Sequence, residues 1–326
     1  MQRFAAPAWL PGGHLQTIVP ALWGRRVHGP PPVYRRERWA TPDGDFIDVD
    51  FQDARDAGAP WLVLFHGLEG SSRSHYAEAF AEVAARRGWH FAVPHFRGCS
   101  GEINLAPRAY HSGDFEEIGW VLGRLRERAG QPLHVAGVSL GGNALLRWAE
   151  EAGETASRVV HAVAAVCSPL DLAAGGHAIG QGFNRQVYTR MFLRSMKPKA
   201  LAKWVQHPGL FDREALVAAR DLYTFDNLFT APLHGFAGTD DYWRRASAKP
   251  RLADIRVPAL ALNALNDPFV PAASLPTRAE AGRFVTLWQP EHGGHVGFPA
   301  VALAPRNPLH VQAMPQAVVD WLARPA

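Results

Sequence analysis

Gly137-Val138-Ser139-Leu140-Gly141 decides how this chain is read. Leu133-His134-Val135-Ala136 precedes it, a short apolar run of strand type. Ala144-Leu145-Leu146-Arg147-Trp148-Ala149 follows, a run of good helix formers. A serine therefore stands at a sharp turn between a strand and a helix, the setting of a nucleophile elbow. A side chain at Gly137 or Gly141 is expected to collide where the helix folds back against the strand, and glycine removes the offending Cβ. The turn strains the backbone at Ser139 and lifts its hydroxyl clear of the sheet. It also sets the backbone N–H of Leu140 beside that hydroxyl, at a helix start where donors lack partners. Short Gly/Ser turns are common, so the flanking strand and helix carry most of the weight.

On the N-terminal side, residues 1–35 form an arm rich in proline and glycine. Its large apolar residues Trp9, Leu10, Leu15, Ile18, Val19, Leu22 and Trp23 predict an ordered segment anchored by them. Arg36–Trp39 and Phe46–Phe51 alternate around Pro42-Asp43-Gly44-Asp45 and read as a β-hairpin. Trp61–Phe65 is continuously apolar, as expected of a central parallel strand covered on both faces. Tyr76, Phe80 and Val83 mark a helix face closed by Gly88, and Trp89–Pro94 is the next strand. From His111 a helix carries Phe115, Ile118, Leu122 and Leu125 on one side. Val159–Val166 follows the elbow helix as a further strand, and this alternation predicts a mostly parallel sheet with helices on both faces.

From Pro169 to Asp254 strand-like runs disappear. Phe183, Met191, Phe192, Met196, Trp204, Phe225 and Phe229 stud helical stretches, which read as a cap inserted between core strands and able to line an apolar pocket. Arg185, Arg190, Arg194, Lys197, Lys199 and Lys203 form a basic run there. It is read as a solvated helix face, with an anionic headgroup or membrane surface as the alternative. The core resumes at Ala259–Leu262, continues in a strand over Arg283–Trp288, and closes with a helix over Ala313–Leu322. The expected organisation is a core of residues 1–168 and 255–326 with a helical cap of residues 169–254.

A serine hydroxyl needs a base to become a nucleophile. Asp267, in Asn266-Asp267-Pro268-Phe269, follows a core strand; His295, in Gly293-Gly294-His295-Val296-Gly297-Phe298, follows the last one. Both fall at carboxyl ends of strands, where such sheets bind ligands, in the chain order serine, acid, histidine. His292 competes with His295, but His295 is flanked by glycine and an apolar run that would anchor it. Asp240, Asp241 and Asp254 compete with Asp267 but precede the strand. A second oxyanion donor is expected in the loop His66-Gly67-Leu68, where the N–H of Leu68 would join that of Leu140. Leu68→Ala should then matter little, whereas disturbing Gly67 should matter greatly.

Composition sets outer bounds. The chain has 326 residues, 47% hydrophobic and 20% charged, enough for one large core. Its net charge of +4 is spread without a basic block interleaved with aromatics, which argues against a nucleic-acid partner. Cys99 and Cys167 each end an apolar run and read as buried free thiols in a reducing, cytoplasmic setting. The N-terminus is broken by proline and glycine, unlike a signal peptide, and no run is long enough to span a bilayer. Fifteen histidines include no H-E-x-x-H, and the loop Arg97-Gly98-Cys99-Ser100-Gly101 lacks the lysine of a P-loop. No metal or other cofactor is called for.

His66-Gly67-Leu68-Glu69-Gly70, Phe96–Gly101, Tyr110-His111-Ser112-Gly113-Asp114, Gly137–Asn143 and Gly293–Phe298 together resemble the YheT-like α/β-hydrolases. Their eukaryotic relatives include lipid-acting esterases and phospholipases. The resemblance runs through nearly the whole chain, including His14-Leu15-Gln16-Thr17 and Ile255-Arg256-Val257-Pro258. It implies an α/β-hydrolase fold and a Ser139–Asp267–His295 triad. Asn266-Asp267 stands where the family often has two aspartates, which leaves the acid intact. No apolar run matches the membrane anchor of the eukaryotic relatives, so their location is not carried over. The expected activity is hydrolysis of short- to medium-chain acyl or lipid esters by a serine hydrolase. An acyltransferase using the same residues and a non-catalytic binding protein are the alternatives. A dehalogenase is disfavoured, because that chemistry wants a carboxylate at position 139.

Overall fold

In the computed structural model, which describes residues 4–300 and 309–324, helix α1 (Gly12–Trp23) leads into strands β1 (Arg35–Ala40) and β2 (Phe46–Gln52). Strand β3 (Trp61–Phe65), helix α2 (His75–Arg86), strand β4 (His90–Pro94), helix α3 (Phe115–Ala129), strand β5 (Leu133–Val138), helix α4 (Leu140–Ala152) and strand β6 (Val160–Val166) follow in turn. The eight-stranded sheet of the described residues has the order β1-β2-β4-β3-β5-β6-β7-β8, completed by β7 (Ala259–Leu262) and β8 (Val285–Trp288). β1, β2 and β4 pair antiparallel, and every pair from β4 through β8 is parallel. This is the mostly parallel sheet expected from the alternation of runs, in the α/β-hydrolase architecture that the resemblance implies.

All five residues of β3 and all of β4 are buried, because helices cover both faces of the sheet. Tyr76, Phe80 and Val83 of α2 pack with Val318, Val319 and Leu322 of the closing helix, Ala313–Leu322, on one face. Ile118, Leu122 and Leu125 of α3 pack with Leu145 and Trp148 of α4 on the other. The helix expected from His111 begins only at Phe115. Asp114 is its N-cap, its carboxylate accepting from Glu117 N, and Gly130 closes it with φ 65°.

Two other expectations are corrected. β2 does not alternate: six of its seven residues are buried. Its aspartates are neutralised in place, Asp48 by Arg38 at 2.8 Å and Asp50 by Arg36 at 2.7 Å. The arm is ordered, but of the anchors named for it only Leu10 is buried, with Ile18 and Val19 half-buried. Trp9, Leu15, Leu22 and Trp23 are 60%, 42%, 62% and 70% exposed, while Leu10, Gln16, Thr17 and Pro20 are buried. The polar pair is buried because a loop beyond β8 supplies hydrogen-bond partners, described below.

Between β6 and β7 the chain runs in helices: α5 (Leu172–Ile179), α6 (Gly182–Asn184), α7 (Arg190–Gln206), α8 (Arg213–Ala218), α9 (Leu222–Phe225), α10 (Ala231–Leu233) and α11 (Thr239–Ala246). Asn143 of α4 ties this segment to the core. It is fully buried, donates to Ser112 O and Ala246 O, both at 2.8 Å, and accepts from Ala248 N.

The hairpin is fastened by Arg97 in the loop after β4. Its buried guanidinium meets Asp45 at 2.7 Å, Glu117 at 2.5 Å and Asp43 at 2.9 Å. Removing one partner of such a buried cluster leaves carboxylates uncompensated, at a cost of about 3–5 kcal/mol. Arg97→Met should therefore lower the free energy of urea unfolding by about that amount. Arg251→Met, which breaks only partly exposed pairs with Glu151 and Asp254, should change it by less than about 1 kcal/mol.

Candidate active site

Ser139 sits between the end of β5 and the start of α4 with φ 52° and ψ −119°, a strained conformation for a residue with a side chain. The glycines around it explain how so tight a turn packs. A Cβ at Gly137 would lie 2.5 Å from Gly141 O, so the strand would strike its own helix, as expected. A Cβ at Gly141 would instead strike the neighbouring strand, 2.4 Å from His66 O and 2.6 Å from Phe65 O. Gly142 is equally confined, against Ser168 Oγ and Ala165 Cα. The elbow is thus wedged between β3 and β6, and Ser139 N donates to Val166 O at 2.8 Å.

The structure brings the three predicted side chains together. His295 Nε2 lies 3.1 Å from Ser139 Oγ, and His295 Nδ1 lies 2.9 Å from Asp267 Oδ2. Asp267 Oδ1 accepts from Phe269 N at 2.8 Å, which fixes the buried carboxylate. The Phe269 ring covers the imidazole at a centroid distance of 4.1 Å. The competing residues are elsewhere. His292 is exposed, Asp240 accepts from Tyr223, Asp241 pairs with Arg244 and Arg245, and Asp254 pairs with Arg251.

Polar side chains of α1 and of the loop before Asp267 hold the histidine loop. Thr17 Oγ1 accepts from His295 N at 2.8 Å and donates to Gly13 O at 2.7 Å. Gln16 Oε1 accepts from Gly293 N and from Asn266 Nδ2, both at 2.9 Å, and Asn266 Oδ1 accepts from Gly294 N at 3.0 Å. α1 can come this close only because the loop is glycine there. A Cβ at Gly297 would sit 1.7 Å from Gln16 O. The available signal was His14-Leu15-Gln16-Thr17, a polar pair within an otherwise apolar arm.

Cys167 supports the loop from beneath, its Sγ accepting from Val296 N at 3.3 Å. Burial pushes its thiol well above the ordinary range. Cys167, Asp267 and His295 bring one donor atom each within 4.8 Å of one another. Those atoms are already engaged with one another and with Val296 N, so the set is better suited to holding the imidazole than to holding a metal. Both cysteines are buried free thiols.

Leu140 is the first residue of α4, where the N–H has no intrahelical acceptor. Leu68 lies across the same cavity from it. The amides on either side of Leu68 are taken by tyrosines: Gly67 N donates to Tyr76 Oη at 2.9 Å and Glu69 N to Tyr110 Oη at 3.0 Å. Among the described residues Leu68 N has no acceptor. A Cβ at Gly67 would come within 3.2 Å of Ser139 Cβ, so this loop passes directly over the serine. His66 beneath it is neutral, pushed down to about 3 chiefly by burial, and its Nε2 accepts from Phe96 N.

The cavity above Ser139 is walled by Ile179, Phe192, Met196, Leu222, Phe225 and Phe229 of the helical segment. Its polar patches are Glu69, Tyr110, Lys199, Lys203 and Asp226. The basic run is therefore not one solvated face. Lys199 turns inward and pairs with Glu69 at 2.9 Å, and Lys203, only 2% exposed, donates to the carbonyls of Asn104 and Ala106. Burial lowers Lys203 to about 8 and raises Asp226 to about 6.

Residues 60–299 match a family described as alpha/beta hydrolase fold. The chain is 39% identical over 315 residues to "Putative esterase YheT" of Escherichia coli, covering 95% of this chain and 89% of that one. It is 28% identical over 307 residues to a mouse protein named Phospholipase ABHD3, covering 87% of this chain and 73% of that one. Among solved structures it resembles Est1E from Butyrivibrio proteoclasticus, with TM-score 0.53, 14% identity, and coverage of 89% and 99%. That last likeness is one of fold.

Loss of the Thr17 acceptor leaves His295 N unpaired, a cost of about 1–3 kcal/mol against the aligned loop. Thr17→Val should slow labelling of Ser139 by a fluorophosphonate probe by about tenfold, with an unchanged circular dichroism spectrum. Thr17→Ser should restore the rate. Equal labelling of Thr17→Val and the unaltered protein would show that α1 does not hold the imidazole in place.

Proposed function

We propose, from the premise that this chain belongs to the alpha/beta hydrolase fold family, that it cleaves carboxylic esters through an acyl-enzyme on Ser139. The chain is a hydrolase of the esterase and lipase kind. The observation that carries the finer reading is the continuous hydrogen-bonded path from Asp267 through His295 to Ser139, opening on a largely apolar cavity.

Asp267 accepts the Nδ1 proton of His295, which leaves the Nε2 lone pair directed at the Ser139 hydroxyl. As Ser139 Oγ bonds to the ester carbonyl carbon, its proton moves to Nε2 and the carbonyl oxygen becomes an oxyanion. The N–H groups of Leu68 and Leu140 receive that charge, each worth about 3 kcal/mol in the transition state. Collapse breaks the bond to the leaving oxygen, which departs as the alcohol with the proton from Nε2. Water then gives a proton to Nε2 as it attacks the acyl carbon, the acyl–Oγ bond breaks, and the Nε2 proton returns to Ser139 Oγ as the acid leaves.

The helical segment of residues 169–254 acts as a cap in this reading. Phe192, Met196, Phe225 and Phe229 form an apolar berth for a short- to medium-chain acyl group or a lipid chain. Lys199 joins the cap to Glu69, the residue after Leu68, and so links cap position to the oxyanion loop.

Ser139→Ala should lower kcat on p-nitrophenyl butyrate by about 10⁴-fold or more, without loss of folded protein by thermal melting. Full turnover by this variant would overturn the reading. Met196→Trp should narrow the acyl berth. It should reduce kcat/KM for p-nitrophenyl octanoate by about tenfold more than for the acetate ester.

A further inference from the structure

The basic run divides by helical period. Phe192, Met196, Lys199 and Lys203 follow the i, i+4, i+7, i+11 spacing and line the cavity on the inner side of α7. Arg190, Arg194 and Lys197 follow the i, i+4, i+7 spacing on the other side. With Arg185 and Arg220 they surround a second, open groove. Among the described residues none of these five cations pairs with a carboxylate within 4.0 Å.

Five unpaired cations around one concavity repel one another. Lys197 shows it: burial and the nearby Arg220 both hold its ammonium below the usual range. Lys197 Nζ donates only to Val217 O, at 2.7 Å. The nearest acidic residues in sequence are otherwise committed or exposed: Asp212 caps α8, Asp221 caps α9, and Glu214 faces solvent. Residues 185–220 hold eight Lys or Arg against two carboxylates, an excess larger than the whole chain's +4. The charge of the molecule is concentrated here.

The rim of the groove is apolar. Phe183 and Met191, close in sequence to Arg185 and Arg190, are 51% and 54% exposed, and Val217, whose carbonyl accepts from Lys197, is exposed as well. The Phe183 ring meets His14 of α1 at a centroid distance of 4.5 Å, and Leu15, next to His14, is exposed. Exposed aromatic and aliphatic side chains around a cationic floor suit an interface that offers anionic headgroups above and acyl chains beneath. A free polyanion would leave the apolar rim without a partner.

We propose that this groove and its rim dock the protein on an anionic lipid bilayer. Arg185, Arg190, Arg194, Lys197 and Arg220 meet the headgroups, and Phe183, Met191 and Val217 enter the interface. α7 then lies between the bilayer and the cavity, with its outer stripe on lipid and its inner stripe facing Ser139. The docking adds to the ester-hydrolase reading a source for its substrate, and it is measured by binding alone.

Co-sedimentation of the full chain with vesicles tests it. The protein should bind phosphatidylcholine vesicles containing phosphatidylglycerol, should bind pure phosphatidylcholine vesicles far more weakly, and should detach as salt rises. Each cation near such a surface strengthens binding about fivefold. The combined variant Arg190→Gln, Arg194→Gln, Lys197→Gln should therefore bind about a hundredfold more weakly, with unchanged turnover of soluble p-nitrophenyl butyrate. Phe183→Ser with Met191→Ser should also weaken vesicle binding while leaving retention on a heparin column unchanged. Ser139→Ala should bind vesicles like the unaltered protein, so a failure of the hydrolase reading remains separate from a failure of docking. No binding to anionic vesicles, equal binding to neutral ones, or full binding by the triple variant would each overturn the proposal. So would an unchanged vesicle affinity in the Phe183/Met191 variant, which would mark an anion site without bilayer contact.

Discussion

The turn at Ser139 is the constraint on which the remaining geometry rests. Its backbone is held at positive φ by packing from three directions, and each contact excludes a side chain. Gly137 meets Gly141 and Gly142, Gly141 meets the carbonyls that end β3, and Gly142 meets the residues that end β6. A strained conformation of this kind persists only where its surroundings over-determine it. The wedge also sets the spacing of β3, β5 and β6. That spacing puts the loop carrying Leu68 over the serine and the end of β6, with Cys167, behind the histidine. The five non-glycine residues at positive φ among the described residues are Glu69, Ser139, Cys167, Val296 and Phe298. They follow β3, β5, β6 and β8, so backbone strain is gathered at one rim of the sheet.

The histidine is placed by a different kind of interaction. Its loop is 156 residues from the elbow serine, about half the chain, and Val296 and Phe298 beyond the histidine are buried in the core. Buried hydrogen bonds donated by its N–H groups to Gln16 and Thr17 align it, with Asn266 joining the acid's loop to the same network. Such bonds contribute modestly to net stability but strongly to uniqueness, because any misaligned arrangement leaves a buried donor unpaired. The arm thus contributes its polar face to the site, and most of its large apolar residues remain outside.

The helical segment does two jobs with one helix. The inner stripe of α7 closes an apolar cavity and inserts Lys199 against Glu69, next to Leu68. Its outer stripe gathers arginines that lack acidic neighbours. A run of cations in sequence is therefore two structures in space, separated by the helical period, with opposite electrostatic surroundings.

The sequence by itself determined the strands, the elbow and the three residues brought together there. These depend on local signals: continuous apolar runs for strands buried on both faces, glycines where backbones touch, and polar residues at strand ends. It also determined that Asp267, unlike Asp240, follows a core strand, and that His295, unlike His292, is followed by an apolar run that anchors its loop. Tertiary structure alone decided which polar residues are buried and which apolar ones are not. Gln16 and Thr17 look solvent-facing until a glycine loop from nearly the other end of the chain supplies their partners. Trp9, Leu22 and Trp23 look like anchors until the helix turns its polar side inward. The same holds for Arg97 and Lys203, whose burial depends on carboxylates and carbonyls far away in sequence. A buried polar group is stable only with its partner, and a partner distant in sequence has no local signature.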